Sequence, residues 1–427
     1  MEKILRKIER AIPKKLYHFL QPYYHLLLAI IGTTIYLNPS RRLYVIAVTG
    51  TKGKSSTVEF INAVLEASGK KTALLSTIRF KVGEHSRPNK YKMTMPGRFF
   101  TQEFLHEASD AKCKYAIIEM TSEGARFFRH VGVELDALVF TNLSPEHIES
   151  HGSFAKYKKA KLRLANHLAK SKKLFRLSIA NLDNEHAPAF LIGDVEKNIG
   201  YSLKDVQIIS ETEDSSEIIY KGEKIKIPLP GKFNISNALA AITLGRELNI
   251  PIGHIKEGIE GLSLIRGRVE KINEGQDFTV VVDYAHTDDS LRKLYEAFPS
   301  SRKIAVLGST GGGRDSWKRP VLGKIADELC SEIIITNEDP YDEDPLKIIN
   351  EVASGVTAHT PQIIIDRREA IACAISLAKK GDVILISGKG TDPYIMGPNG
   401  TKIIWDDASV AHEELRKKIG ERSTKYE

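Results

Sequence analysis

The stretch Val48-Thr49-Gly50-Thr51-Lys52-Gly53-Lys54-Ser55-Ser56 constrains the fold of this chain more than any other. An apolar run of the buried-strand kind, Tyr44–Val48, leads into it, and Ser55–Ser68 follows with helical spacing until Gly69 ends it. A glycine-bearing loop between a strand and a helix aims backbone N–H groups and the helix N-terminus at an anion. Gly50 and Gly53 let the backbone come close and take unusual dihedrals. Lys54 is placed to reach terminal phosphates, and the Ser55 hydroxyl to hold Mg²⁺. Val48 occupies the first glycine position of the strict GxxxxGK[ST] pattern, so the strand–loop–helix context carries the reading.

The rest of the chain extends that beginning. Thr72–Ser76, Tyr115–Glu119 and Ala137–Thr141 are further strand candidates with helical stretches between them, which predicts a doubly wound, mainly parallel α/β sheet. Ile208–Ile227 holds two short strand-like runs around Lys221-Gly222, which predicts a β-hairpin. After Arg268 come five apolar runs, Phe278–Val282, Lys303–Gly308, Glu332–Thr336, Gln362–Asp366 and Val383–Ser387, alternating with helical segments. They predict a second, Rossmann-like sheet. The expected organisation is a basic, apolar segment at 1–44, a central phosphate-binding domain at 45–270 and a Rossmann-like C-terminal domain at 271–427.

Charge sets limits on partners. The formal net charge is +8, but the first 44 residues alone carry eight basic and two acidic side chains. A nucleic-acid surface spreads its charge over a folded face, so no nucleic-acid partner is expected. Cys113, Cys330 and Cys373 are far apart and form no CxxC pair, which fits reduced thiols in the cytoplasm. Tyr17–Leu37 lacks Lys, Arg, Asp and Glu, but no small-residue cleavage site of a secretory leader follows it. Pro22 is expected to break or start a helix and Asn38-Pro39 to stop one. The part between them spans ~22 Å at ~1.5 Å per residue, short of a bilayer core of about 30 Å. Two readings of residues 1–40 stay open: an element lying at a membrane surface, or an apolar helix packed on the body of the protein.

A series of motifs in chain order resembles the Mur ligases. Thr49–Ser55 is similar to their GT-x-GK-[ST] loop, Thr94-Met95-Pro96 to TTP, and Glu119-Met120-Thr121-Ser122 to E-V-S-S. Thr141–His147 with His151-Gly152 resembles TNL-x-x-DH-x-x-x-HG, Tyr157–Lys161 resembles Y-x-x-AK, and Gly231–Asn237 resembles G-x-FN-x-x-N. Arg266–Glu270 matches the GR-x-E linker, and Asp283–Thr287, Gly312–Asp315, Lys318-Arg319-Pro320 and Gly388-Lys389-Gly390 complete the set. The pattern is most similar to the branch that adds the third residue of the peptidoglycan stem peptide, with folylpolyglutamate synthetases as more distant relatives.

The resemblance implies an ATP- and Mg²⁺-dependent ligase that joins a muramoyl-peptide-like carboxylate to an amino acid through an acyl phosphate. It implies that Gly50, Thr51, Lys52, Gly53, Lys54, Ser55, Ser56, Asn237, Arg268, Asp283 and His286 serve ATP. Ser55, Glu119, His147 and Lys161 would hold metal, with Lys54, His147 and a carbamylated Lys161 in the chemistry. Thr94, Met95, Thr121, Ser122, Arg314, Lys318, Asp339, Tyr341, Gly388 and Asp392 would contact the substrates. Three departures stand out. The segment before residue 45 is shorter than the family's UDP-binding domain. Tyr341 in Glu338-Asp339-Pro340-Tyr341 replaces the arginine of D-N-P-R, and a phenol cannot pair bidentately with a distal carboxylate, which disfavours diaminopimelate. Asp392 stands where GKGHE has glutamate. Other acceptors, such as a folate or a polyamide, and a non-catalytic ATP-binding subunit are the competing readings.

Overall fold

The computed structural model describes residues 14–97, 99–146, 148–313 and 316–423. The chain forms two compact units, Met1–Glu146 with Ser153–Leu203 and Asn237–Gly258, and His147–Gly152 with Lys204–Ser236 and Ile259–Glu427.

The first unit is built on an eight-stranded sheet. Its strands are β1 (Tyr44–Thr49), β2 (Thr72–Leu75), β3 (Arg79–Val82), β4 (His85–Pro88), β5 (Tyr115–Glu119), β6 (Ala137–Phe140), β7 (Leu177–Asn181) and β8 (Lys197–Tyr201). They lie in the order β4-β3-β2-β5-β1-β6-β7-β8. From β2 to β8 every pairing is parallel, and β3 and β4 add an antiparallel edge. The apolar runs foreseen as strands are buried because parallel strands are covered on both faces. The order puts β1 between β5 and β6, so the loops leaving their C-terminal ends are neighbours, the place where such sheets hold ligands.

Five longer helices matter below: α1 (Lys14–Ile35), α2 (Lys54–Ala67), α3 (Phe100–Asp110), α4 (Phe154–Ala169) and α5 (Lys232–Glu247). Helix α1 corrects one expectation, because it runs through Pro22 without ending there. A proline costs a helix one backbone hydrogen bond, and packing can hold the remainder together. Here Gly32 sits close to Phe99 and Gln102, Thr33 packs at Gly132, and the His25 ring meets Phe127 edge-on at 5.3 Å. Among the described residues no helix is long and apolar enough to cross a membrane.

The second unit has three sheets. Strands β9 (Gln207–Glu211), β10 (Ser216–Tyr220) and β11 (Glu223–Ile227) form an antiparallel sheet of three, where two strands were foreseen. The turn at Lys221-Gly222 is as expected, with φ of 48° and 88°, the paired positive values of a two-residue hairpin turn. The main sheet contains β12 (Glu270–Ile272), β13 (Thr279–Val282), β14 (Lys303–Leu307), β15 (Glu332–Ile335), β16 (Gln362–Ile363) and β17 (Val383–Ile386), in the order β12-β13-β17-β14-β15-β16. Alternate residues feed two cores. Val281, Ala305, Leu307 and Leu385 enter one; Val280, Val282, Ile304, Val306, Ile384 and Ile386 enter the other. A small hairpin of β18 (Tyr394–Met396) and β19 (Lys402–Ile404) was not foreseen.

Candidate active site

The loop between β1 and α2 is fixed by residues far along the chain. Thr51 N–H donates to the Asn142 carbonyl at 2.8 Å, and Lys52 N–H donates to Asn142 Oδ1 at 2.9 Å. Thr141 Oγ1 and Asn142 Nδ2 donate in return to the Lys52 carbonyl at 2.7 and 3.0 Å. The glycines are sterically required. A Cβ on Gly50 would lie 1.9 Å from Thr141 Oγ1, and one on Gly53, at φ +77°, would lie 2.3 Å from Asn237 Oδ1. Asn237, on α5, also accepts from Thr57 Oγ1 at 3.3 Å, so it braces the loop and the start of α2. Lys54 Nζ donates to the Thr51 carbonyl at 2.8 Å, folded back over its own loop. Ser56 is buried in the first turn of α2.

Beside this loop stands an acidic oxygen cluster. Glu119, at the end of β5, is 2 % exposed; its Oε2 accepts from Ser55 Oγ and from Thr77 N–H, each at 2.9 Å. Thr77 and Thr94 share a hydroxyl–hydroxyl bond of 2.7 Å, which sets Thr94 next to that carboxylate's support. Met95 is buried, with its sulfur against Gly124. Thr121 caps the short Ser122–Arg126 helix by accepting from Gly124 N–H at 3.0 Å, and Ser122 is buried behind it.

From α4, Lys161 points into the same place. It is 2 % exposed, and its Nζ donates to the Gly50 carbonyl. Burial, and then the nearby Lys54 ammonium, hold its pKa well below the usual amine range, against the opposing pull of Glu146 and Glu119. Tyr157, one turn earlier, bonds Thr51 Oγ1 at 3.0 Å, and Lys161 Nζ lies 4.9 Å from its ring centre. Tyr157, Asn142 and Glu146 were not singled out from the sequence as site residues. All three lie inside the matched motifs, and that was the signal available. His147 lies outside the described residues.

Among the described residues no group of three or more His, Cys, Asp or Glu side chains is gathered as a metal cage. The donors present still fit Mg²⁺, which takes one or two carboxylates beside phosphate and water oxygens. The Ser55–Glu119 oxygen pair next to a phosphate-type loop is such a set.

The second unit gathers its own candidates at the C-terminal ends of β14, β15 and β17. Asp339 Oδ1 accepts from Met396 N–H at 2.8 Å and from Lys389 Nζ at 3.0 Å, and Asp392 Oδ2 lies 3.5 Å from the same ammonium. Glu338 accepts from Thr310 Oγ1 at 2.6 Å, and its buried Oε2 sits where a Cβ on Gly388 would be 2.5 Å away. Tyr341 holds a left-handed φ of 53° and lays its ring against Gly312. Glu338 and Lys389 were seen in the sequence only as parts of motifs. Lys318 is half-buried at the start of the Lys318–Leu329 helix, and Arg314 lies outside the described residues.

Near β13, Asp283 is engaged by the backbone. Its two oxygens accept from Val269 and Ala285 N–H, each at 2.7 Å. Burial pushes this carboxyl up, opposed by Arg268 and the two amides. Arg268 lies over the Tyr284 ring at 4.5 Å, and His286 Nδ1 is 2.8 Å from the Tyr284 carbonyl. Asp283 therefore shapes the turn that presents Arg268 and His286.

A parallel sheet with a glycine–lysine loop, a buried carboxylate and a buried lysine, together with a second Rossmann-like unit, defines the class. Residues 48–245 match the Mur ligase middle domain and residues 267–390 the domain described as Mur ligase, glutamate ligase domain. The chain belongs to the Mur ligase family of ATP-dependent ligases. Within it, the chain is 34 % identical over 403 residues to the UDP-N-acetylmuramoyl-L-alanyl-D-glutamate--2,6-diaminopimelate ligase of Caldanaerobacter subterraneus subsp. tengcongensis, covering 91 % of this chain and 81 % of that one. A solved ligase of the same name is 27 % identical, with a TM-score of 0.60 over 88 % of this chain and 79 % of its own. The folylpolyglutamate synthase of Mycobacterium tuberculosis, 15 % identical, shares the fold with a TM-score of 0.69 over 88 % of this chain and 96 % of its own.

Proposed function

We propose that this ligase adds an amino acid to a UDP-N-acetylmuramoyl-peptide or a close analogue, in cytoplasmic synthesis of peptidoglycan precursors, and that residues 1–40 make a peripheral membrane contact. The work is divided between a central ATP-binding domain at 45–270 and a C-terminal domain at 271–427. The acceptor carboxylate attacks the terminal phosphorus of ATP, and ADP leaves. The amine of the incoming amino acid then attacks the acyl carbon, phosphate departs with the bonding electrons, and the amine loses a proton.

The observation that carries this reading is Lys161, buried against the Gly50 carbonyl beside Lys54, with its pKa held well below the usual amine range. A neutral amine can attack CO₂ and, on losing a proton, become a carbamate anion. That anion, the Glu119 carboxylate, the Ser55 hydroxyl and His147 are the groups that would hold Mg²⁺. Bound there, Mg²⁺ supplies positive charge against the phosphate oxygens. Loop N–H groups between Gly50 and Ser56 other than those of Thr51 and Lys52, which Asn142 holds, together with the Lys54 ammonium, neutralise the phosphates and fix their direction. Thr94, Met95, Thr121 and Ser122 line the acceptor side; Asn237, Arg268, Asp283 and His286 serve the nucleotide.

For the amino acid, we assign Arg314, Lys318, Asp339, Tyr341, Gly388 and Asp392. Tyr341 itself offers a second carboxylate no cation, and Asp339 and Asp392 flank the Lys389 ammonium and occupy its charge. An amino acid without a distal carboxylate is the expected substrate. The test is phosphate release from ATP with Mg²⁺, screened over amino acids with UDP-N-acetylmuramoyl-L-alanyl-D-glutamate as acceptor. Release should need the acceptor and one amino acid, and Lys54→Ala should lower it by at least about a hundredfold. Release with folate acceptors alone, or cellular function untouched by Lys54→Ala, would overturn the proposal.

A further inference from the structure

Helix α1 has two apolar faces. The inner one, with Ala29, Gly32 and Thr33, packs on the first unit. The outer one carries Leu16, Leu20, Tyr23, Leu27, Ile30 and Ile31, each between 38 and 56 % exposed. Their spacing places them on one face about 100° wide, in a ridge ~22 Å long at ~1.5 Å per residue. An apolar strip of that length on a protein surface marks an interaction site.

The charges around the ridge say what it meets. No acidic residue occurs from position 10 to position 58. Lys14 and Lys15 open the helix, and the exposed Arg41 and Arg42 follow its end. An apolar ridge with cations at both ends is complementary to an anionic lipid leaflet, whose phosphates lie just above its acyl chains. It is poorly complementary to a second copy of itself. Side-by-side pairing of two α1 helices brings cation to cation at the ends, whether they run parallel or antiparallel. Spanning is excluded for this helix by its hydropathy and by the packing of its inner face. Tyr23 and Tyr24 add the amphipathic rings that favour the water–lipid boundary.

We propose that α1 is an in-plane anchor for an anionic membrane surface: the ridge from Leu16 to Ile31 enters the interfacial zone, and Arg41 and Arg42 meet the lipid phosphates, with the basic sequence at the start of the helix adding to the attraction. This deepens the peripheral contact proposed above and stands apart from the ligase chemistry.

The full chain should float with phosphatidylcholine vesicles containing phosphatidylglycerol. Binding should be weaker by about tenfold or more with phosphatidylcholine alone or in high salt. Leu20→Glu/Leu27→Glu should lose binding by at least about tenfold with an unchanged thermal midpoint, since both positions face outward. Arg41→Glu/Arg42→Glu should lose the preference for the anionic lipid. The proposal falls if the wild-type chain ignores both vesicles at low salt, or if Leu20→Glu/Leu27→Glu floats undiminished. It falls also if the wild-type chain is a dimer that leaves vesicles unbound and that Leu20→Glu/Leu27→Glu converts to a monomer, which would make the ridge a self-association face. Neither flotation nor oligomeric state reads turnover, so failure of the ligase proposal would leave this result standing.

Discussion

Lys161 shows how one side chain can work against the stability of the fold that holds it. Unfolded, the amine titrates near its ordinary value; folded, burial and Lys54 keep it far below. Between those two values the unfolded chain holds the extra proton, so the group lowers stability at neutral pH, and the penalty fades as pH rises to the ordinary amine value. Lys161→Met is therefore expected to stabilise the protein in CO₂-free buffer by about 1–3 kcal/mol. It should at the same time cut phosphate release by at least about a hundredfold. Thermal midpoint and turnover measured side by side check this; a lower midpoint would assign the lysine a merely structural part. The sequence alone could not choose Lys161 over Lys158 and Lys159, since all three read as one solvated helix face and only the family pattern separated them. Burial separates them physically: Lys159 is exposed and Lys158 half-buried. Tyr341 is the reverse case. Its identity was plain in the sequence, but its left-handed backbone was not, because nothing in the residue type favours that conformation.

At the scale of elements, the connection between β5 and β6 carries its own pH response. His130 is buried in the turn after the Ser122–Arg126 helix, edge-on to His167 of α4 at 4.8 Å. Burial first, then His167 and Arg163, lower its pKa to about 3. His167, bonded to the Val133 carbonyl at 2.7 Å, is lowered as well, chiefly by burial. A depressed folded value means that this contribution is whole above the ordinary histidine pKa of about 6.5 and is lost as pH falls through about 3. The expected slope is at most about 1.4 kcal/mol per pH unit from His130, and His130→Leu should flatten it. Urea midpoints at neutral and mildly acidic pH measure the difference; equal slopes in both proteins would refute it. Elements that bury both faces were the legible ones, since β1, β5, β6, β13, β14 and β17 read as continuous apolar runs. The missed ones depend on context. Helix α1 continues past Pro22 through tertiary packing, β9 alternates exposed and half-buried positions, and β18 and β19 are short.

The whole molecule is two units with separate cores. Both tryptophans, Trp317 and Trp405, belong to the second unit, whereas the phosphate-type loop belongs to the first. A non-hydrolysable ATP analogue with Mg²⁺ should raise the melting of the first unit by about 1.4 kcal/mol for each tenfold excess over its Kd. That shift should appear in far-ultraviolet circular dichroism, with a smaller shift in the tryptophan fluorescence transition, since the second unit contributes only Arg268, Asp283 and His286 to the proposed nucleotide contacts. Equal shifts in both signals would instead mean a single cooperative transition.

The phosphate-type loop is short in the sequence and long in its dependencies. Thr141 and Asn142 hold it from about ninety residues away, Lys161 from 111, and Asn237 braces Thr57 from 180. During synthesis on the ribosome, then, the nine residues that announce nucleotide binding are made early, but their brace arrives only when α5 emerges. A nascent or truncated chain ending before Asn237 carries the motif in its text without the shape. Commitment to nucleotide waits on a residue made after more than half of the protein.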